Sequence, residues 1–224
     1  MSEVELPDIV YVVRHGQINQ ELKFSLRSLA NLPHRRVFVA GYAPDWLKNV
    51  TVIDVPKRQN KFDTVQRNMQ VAITHRELGE HFIYFNDDFY VTKPIDGALV
   101  LHGGPASLYR PRQEIWMRYN NTLKHLSADR VLLPATYDGT HVPMPIVTEA
   151  AREHLPWVPN GCLWRTWYGN KADIGGTQTR DVKHRKGPLN TDGPYLSSGP
   201  TTFREVRKYL EDVLPRKTPY AQHL

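Results

Sequence analysis

The stretch HFIYFNDDFYV, residues 81–91, carries an apolar and aromatic run into Asn86 and the adjacent acids Asp87 and Asp88, then returns to aromatics. Neighbouring carboxylates repel at neutral pH, so placing them at the end of an apolar run is costly unless a cation or several donors offset the charge. Magnesium and manganese take oxygen ligands and keep positions open for phosphate oxygens, which makes a metal-bridged diphosphate well matched to such a pair. The competing reading is an acid pair solvated in a turn, against which the flanking apolar and aromatic residues argue. Other residues with chemical potential are less defined. His141, before a Pro-x-Pro turn, reads by itself as a surface or supporting histidine. Trp157, Trp164 and Trp167 fit either a wall stacked on a sugar or plain packing. Cys162 lacks a nucleophile's context and reads as a small buried hydrophobe. Gly103 and Gly104 read as a turn, with no phosphate-binding fingerprint around them.

If Asp87 and Asp88 close a strand, the elements around them must form a sheet whose strand ends face a ligand. DIVYVV (8–13), RRVFVAG (35–41), NVTVIDV (49–55) and HFIYF (81–85) read as strands, with HFIYF as the central one. Between them, QELKFSLRSLANL (20–32) repeats Leu22, Leu26 and Leu29 at helical spacing and stops at NLPHR, where proline cannot continue a helix. KFDTVQRNMQVAITHRELG (61–79) presents Val65, Met69, Ala72 and Ile73 on one face and ends at Gly79. This alternation predicts an α/β fold with a mainly parallel, Rossmann-type sheet flanked by helices, with ligands bound outside the carboxyl ends of the strands. From about residue 92 the pattern becomes irregular. Residues 104–115 and 129–135 are strand candidates and 146–155 a helix candidate. TTFREVRKYLEDVL (201–214) is an amphipathic helix with Phe203, Val206, Leu210 and Val213 on one face and a capping-box spacing from Thr202 to Glu205. With no repeat and no linker, residues 1–224 read as one domain, a nucleotide-type half (1–100) followed by an irregular completing half (101–224).

Composition narrows the class. A hydrophobic content of 40% supports a core, and no segment approaches the roughly 20 apolar residues of a membrane span. The acidic start MSEVELPDIVYVV does not read as a secretory signal. The single cysteine excludes an internal disulfide and any cysteine metal cluster, and it suits a reducing, cytoplasmic setting. A formal charge of +6 favours anionic partners without selecting one. The basic run GTQTRDVKHRKG (176–187) reads as a solvated loop. No residue pattern specifies an oligomeric state.

A short acid motif after a hydrophobic strand is similar to the way GT-A-type glycosyltransferases hold a nucleotide sugar through a divalent ion. A closer resemblance covers more of the chain. DIVYVVRHG (8–16), ELKFSLRSLANLPHRRVFVAGYAPDWL (21–47) and FIYFNDDFYVTKP (82–94) resemble, in order and spacing, the first two regions of the Stealth family. That family comprises capsule-type hexose-1-phosphate transferases and the catalytic subunit of the lysosomal-enzyme N-acetylglucosamine-1-phosphotransferase. THVPMPIVTEA (140–150) with CLWRTW (162–167) looks like its third region, and GPLNTDG (187–193) like its fourth.

The resemblance implies that residues 1–100 bind the nucleotide sugar and 101–224 complete the acceptor side. It implies a divalent cation, manganese or magnesium, held by Asp87 and Asp88 together with the diphosphate of a UDP-sugar donor. His141 would be the base for the acceptor hydroxyl and Arg165 the phosphate-clamping arginine, with Asp88 beside them in catalysis. Arg14, Arg27, Asn86 and Asp192 would contact the donor or its cation, and Asn190 would match the fourth region with Asp192. Three departures stand out. Val13, Arg14, His15 and Gly16 replace the family's Trp-Val-Asp-Gly, Gln66, Arg67 and Asn68 occupy the place of a glutamate, and the last element reads Asn-Thr-Asp.

Two reactions fit. In one the acceptor hydroxyl attacks the phosphorus next to the sugar and a sugar-1-phosphate moves; in the other it attacks the anomeric carbon and the sugar alone moves. The acceptor would be a glycan, a protein or modified DNA. A non-catalytic, basic nucleic-acid-binding protein is the alternative from another class, although no helix-turn-helix or zinc pattern accompanies the charge.

Overall fold

All six residues of the first strand, β1 (Asp8–Val13), are buried, as expected for a strand inside a parallel sheet covered on both faces. The computed structural model describes residues 6–15, 19–56, 61–104, 111–128 and 158–222. β1 pairs in parallel with β2 (Val37–Gly41) on one side and β4 (Phe82–Phe85) on the other, and β2 pairs with β3 (Thr51–Ile53), giving the order β3-β2-β1-β4. Ile9 lies opposite both Val37 and Ile83.

Because side chains alternate across a strand, this register divides the core in two. Val10, Val12, Phe38, Phe82 and Tyr84 pack with Met69 of α2 (Lys61–Ala72) and with Ile73 just beyond it. Ile9, Tyr11, Val39, Ile83 and Phe85 pack on Leu22 and Leu26 of α1 (Gln20–Ser28) and on Leu29 of the following 3-10 turn. The second half of the chain finishes the first face with Leu126 of α3 (Gln113–Ala128) and Trp167 and Tyr168 of α4 (Trp164–Lys171). A third cluster joins Phe24 of α1 to Tyr90 of β5 (Phe89–Val91), Leu196 of β8 (Tyr195–Ser197), and Val206 and Leu210 of α5 (Phe203–Val213). β5 and β8 are antiparallel, and β6 (Leu101–His102) and β7 (Thr177–Gln178) form a short parallel pair.

The chain steps outward from β1 to β2 and β3, then returns through α2 to place β4 on the opposite side of β1. That reversal opens a crevice at the carboxyl ends of β1 and β4, the position where open α/β sheets bind ligands. At the amino end of the sheet the carboxylate of Asp8, fully buried, accepts from Arg35 at 3.0 and 2.9 Å, from Arg36 at 3.2 and 3.0 Å, and from the Gly79 amide at 2.8 Å. At the far end of the chain, residues 214–222 form a strap across the first half. The Lys48 amide donates to the Tyr220 carbonyl, the Gln222 amide to that of Trp46, the Asn49 side chain to that of Pro219, and the Thr218 hydroxyl to that of Leu26.

The expected α/β class, with its mainly parallel sheet and flanking helices, is what the structure has. Several local expectations differ. Phe82–Phe85 forms an edge of the four-stranded sheet among the described residues, not its centre, because the crossover inserts β1 between it and β2. α2 stops at Ala72, where the chain breaks into turns that bring Gly79 onto Asp8. Gly79 is therefore a point of close approach, where a Cβ would lie 2.6 Å from the Arg35 guanidinium. Residues 113–115, read as strand, open α3. Leu214, just after α5, is buried, whereas Val213 at its end is 39% exposed. Thr202 makes no capping bond, since its hydroxyl donates to the His184 carbonyl. The candidates at 129–135 and 146–155 lie outside the described residues. No helix among the described residues is long and apolar enough to cross a membrane.

Candidate active site

At the carboxyl end of β4 the chain turns through Asn86, Asp87 and Asp88 before entering β5, so the acid pair sits at the mouth of the β1/β4 crevice. The crevice is a cleft of about 340 Å³ lined from below by Val12, Arg14, Tyr84, Asn86, Asp87 and Asp88, and from the second half by Ile115, Trp164, Arg165 and Lys183. Each of the three turn residues is held by a different element.

Asn86 accepts at its Oδ1 from Nη2 of Arg165 at 2.8 Å. Arg165 lies in the first turn of the buried helix α4, and its guanidinium lies over the Tyr84 ring at 4.7 Å and near the Trp164 ring at 5.5 Å. Tyr84 and Trp164 meet edge to face at 4.6 Å. Packing on both aromatics fixes the planar fork, so a positive charge stands on the cleft wall with little freedom to leave.

Asp87 accepts at Oδ2 from the Asn19 side-chain amide at 2.8 Å, and Asn19 Oδ1 in turn accepts from the Leu22 amide at 3.0 Å. Asn19 thus caps α1 and aims Asp87 with one side chain, in a left-handed conformation (φ 35°) that asparagine tolerates. Burial raises the Asp87 carboxyl above its ordinary range and the Asp88 charge adds to this, against the Asn19 bond and the Arg14 charge.

Asp88 forms an ion pair at Oδ2 with Lys183 Nζ at 2.7 Å, while its backbone carbonyl accepts from the Ser198 amide at 3.0 Å. Its other oxygen, Oδ1, is buried without a hydrogen-bond partner among the described residues. Behind it stands Glu21, in the first turn of α1, accepting from the Ser198 hydroxyl at 3.1 Å. Burial lifts the Glu21 carboxyl, and the charges of Asp87 and Asp88 lift it further.

The chemistry of the donor set fits a divalent cation that keeps open positions. An orphaned carboxylate oxygen lies beside a second carboxylate that burial, together with the Asp88 charge, holds above its usual pKa. Among the described residues no group of three or more His, Cys, Asp or Glu forms a ready metal cage. Magnesium and manganese need none, because one or two carboxylates with substrate phosphates suffice.

The structure therefore brings Arg14, Asn86, Asp87, Asp88 and Arg165 together in one cleft. Arg27 lies elsewhere: its guanidinium packs on Phe24 and donates to the Pro215 and Leu214 carbonyls, because the polar side of α1 at that turn faces the C-terminal strap. Asp192 is exposed outside the cleft, in a turn where its amide donates to Asn190 Oδ1 and its carbonyl accepts from Lys93. His141 and Trp157 lie outside the described residues. Trp167 is core, whereas Trp164 is core on one edge and cleft lining on the other. Asn68, where a glutamate was missed, donates to the Val13 and Ala40 carbonyls and ties β1 and β2 to α2. Gly41 is required there, since at φ +109° a Cβ would lie 2.1 Å from the Val13 carbonyl.

Sequence reasoning missed Asn19, Glu21 and Lys183. Asn19 carried a signal, an asparagine directly before a helical pattern. Lys183 carried none, lying 95 positions from its partner inside a run read as solvated.

Fold and cleft together define an α/β protein with a crevice lined by paired carboxylates and fixed cationic side chains at the switch point of a parallel sheet. No family profile matches the chain. Two curated proteins are similar to it: capsular polysaccharide phosphotransferase LcbA of Neisseria meningitidis, 34% identical over 105 residues, and the protein of the same name from Aeromonas hydrophila, 33% identical over 109 residues. The matches cover 41% and 43% of this chain, and the chain spans 29% and 30% of those relatives. A relationship to capsule-type phosphotransferases is supported over that part of the chain.

Proposed function

We propose that this protein is a Stealth-type, GT-A-like transferase that moves a hexose-1-phosphate from a nucleotide sugar, a UDP-sugar in the first instance, to a hydroxyl of a glycan acceptor. The observation that carries this reading is the convergence of Asp87, Asp88, Arg165 and Lys183 at the β1/β4 switch point. The similarity to two capsular polysaccharide phosphotransferases supports it.

In this reading Asp87 and Asp88 hold a magnesium or manganese ion, which neutralises charge on the donor diphosphate. Asn19 sets the orientation of Asp87, the Ser198 amide ties the backbone of Asp88, and Arg165, fixed on Tyr84 and by Asn86, supplies immobile positive charge to the transferring phosphoryl group. Arg14, at the end of β1, faces the same space. The acceptor oxygen bonds to the phosphorus next to the sugar, the phosphorus–oxygen bond to the nucleoside monophosphate breaks, and the acceptor proton passes to a base, for which His141 is the candidate. A cytoplasmic site of action remains part of this reading and rests on composition.

The by-product identifies the bond broken. Incubation with UDP-sugars, manganese and an oligosaccharide acceptor is expected to release UMP; release of UDP would mean that the sugar alone is transferred. Undiminished turnover in excess chelator would remove the metal from the scheme. Within the basic run 176–187, Lys183 pairs with Asp88 and Arg185 with Asp181.

A further inference from the structure

Lys183 is the one residue of the basic run that lines the cleft, and its placement is built. The His184 amide donates to the Ser197 carbonyl at 2.7 Å and the Ser197 amide to that of Val182 at 3.0 Å, stitching the segment to β8. The Thr202 hydroxyl holds the His184 carbonyl at 2.9 Å, the His184 ring meets Glu205 at 2.9 Å, and Asp181 accepts from the Lys183 amide at 2.9 Å. The next residue of the same strand end, Ser198, donates its amide to the Asp88 carbonyl. Ammonium and carboxylate are thus positioned by one piece of backbone, with side chains only 22% and 20% exposed.

A largely buried ion pair of this kind contributes little net stability compared with apolar packing, because desolvation offsets its attraction, so stability alone gives little reason to hold a lysine there so firmly. The ion pair also occupies one oxygen of the carboxylate whose other oxygen is orphaned. An ammonium is a point charge on a flexible stem, able to move between a carboxylate and a phosphate within reach.

We propose that Lys183 is a donor-phosphate residue that rests on Asp88 until donor binds. Donor diphosphate draws the ammonium away and frees Asp88 for the divalent cation. Cation and diphosphate then help each other bind through Lys183, and the coupling is reciprocal. The inference rests on the transferase reading above.

The test uses the full chain and its Lys183→Met variant. Manganese binding is followed by the electron paramagnetic resonance signal of the free ion, and diphosphate binding by calorimetry with UDP and inorganic pyrophosphate in the absence of metal. Without nucleotide, Lys183→Met should bind manganese about three- to tenfold more tightly and both diphosphates about three- to tenfold more weakly. Lys183→Gln repeats the measurement, so that a folding defect peculiar to one substitution does not decide it. Lys183→Arg, which keeps a charge on Asp88, should bind manganese as the wild type does. Manganese affinity that is unchanged or weaker in both neutral variants overturns the proposal, as does wild-type protein that binds no manganese with or without UDP. The two readings fail separately. Transfer activity with a manganese affinity indifferent to Lys183 removes its resting role alone, whereas tighter manganese binding in a protein that transfers from no nucleotide sugar removes the transferase alone.

Discussion

Asp8 and Asp88 are carboxylates at opposite ends of the same parallel sheet, and they are treated in opposite ways. At the amino end, Asp8 is buried and receives two arginine forks and a backbone amide, so both oxygens are engaged. Burial by itself would raise its pKa, yet the bonds from Arg35, Arg36 and Gly79 more than offset this and hold it below the usual carboxylate value. At the carboxyl end, Asp87, Asp88 and Glu21 crowd one another, and among the described residues they share a single salt bridge while one oxygen of Asp88 has no partner. A fully engaged carboxylate belongs to the scaffold. One left short of donors is poised for a ligand that supplies the missing charge, and groups of shifted pKa cluster in clefts for this reason.

Breaking the functional end should have the largest effect. Asp87→Ala and Asp88→Ala are each expected to lower kcat for transfer by on the order of 10³-fold without loss of thermal stability, read from by-product release and a melting curve. Arg165→Lys keeps the charge but loses the fork on Asn86, and about 10²-fold in kcat should follow. At the other end, Asp8→Asn should leave kcat alone and cost about 2 kcal/mol in urea unfolding at neutral pH. Because the folded pKa of Asp8 is depressed, its contribution is present above the unfolded value of about 3.9 and is lost as pH falls through the folded value, so variant and wild type should converge in acid. Arg27→Ala should cost about 1 kcal/mol with unchanged kcat, since that side chain holds the strap and not the donor. The smallest effect has the opposite sign. Glu21→Gln keeps an oxygen for Ser198 and removes a like charge. It should add about 0.5 kcal/mol at neutral pH, because a carboxyl with a raised folded pKa costs stability once ionised, and the gain should vanish below about pH 4.

How far each end was legible follows from distance along the chain. The strand DIVYVV and the acids after FIYF were readable because apolar runs and charge breaks are local patterns. The end of α2 was not, because nothing local stops the helix at Ala72; the turns that follow answer to Asp8, some 70 positions earlier. Val213 looked as apolar as Leu214, and only docking on β5 and β8 selects Leu214. Arg27 was placed by helix membership, which says nothing of the strap that faces it. Lys183 needed β8 in position before its neighbour was defined.

The strap at 214–222 also has a consequence for biosynthesis. The Asn49 side chain it engages is made 170 positions before its partner Pro219, and Trp46 and Lys48 are likewise made long before theirs. On the ribosome the segment after β2 and the last turn of α1 therefore stay uncovered until residues 214–222 leave the tunnel. Pairings so distant along the chain form slowly, and the waiting surface is open to association in the interval. Nascent chains stalled before residue 214 should accordingly be captured by a ribosome-bound chaperone more strongly than chains released after it.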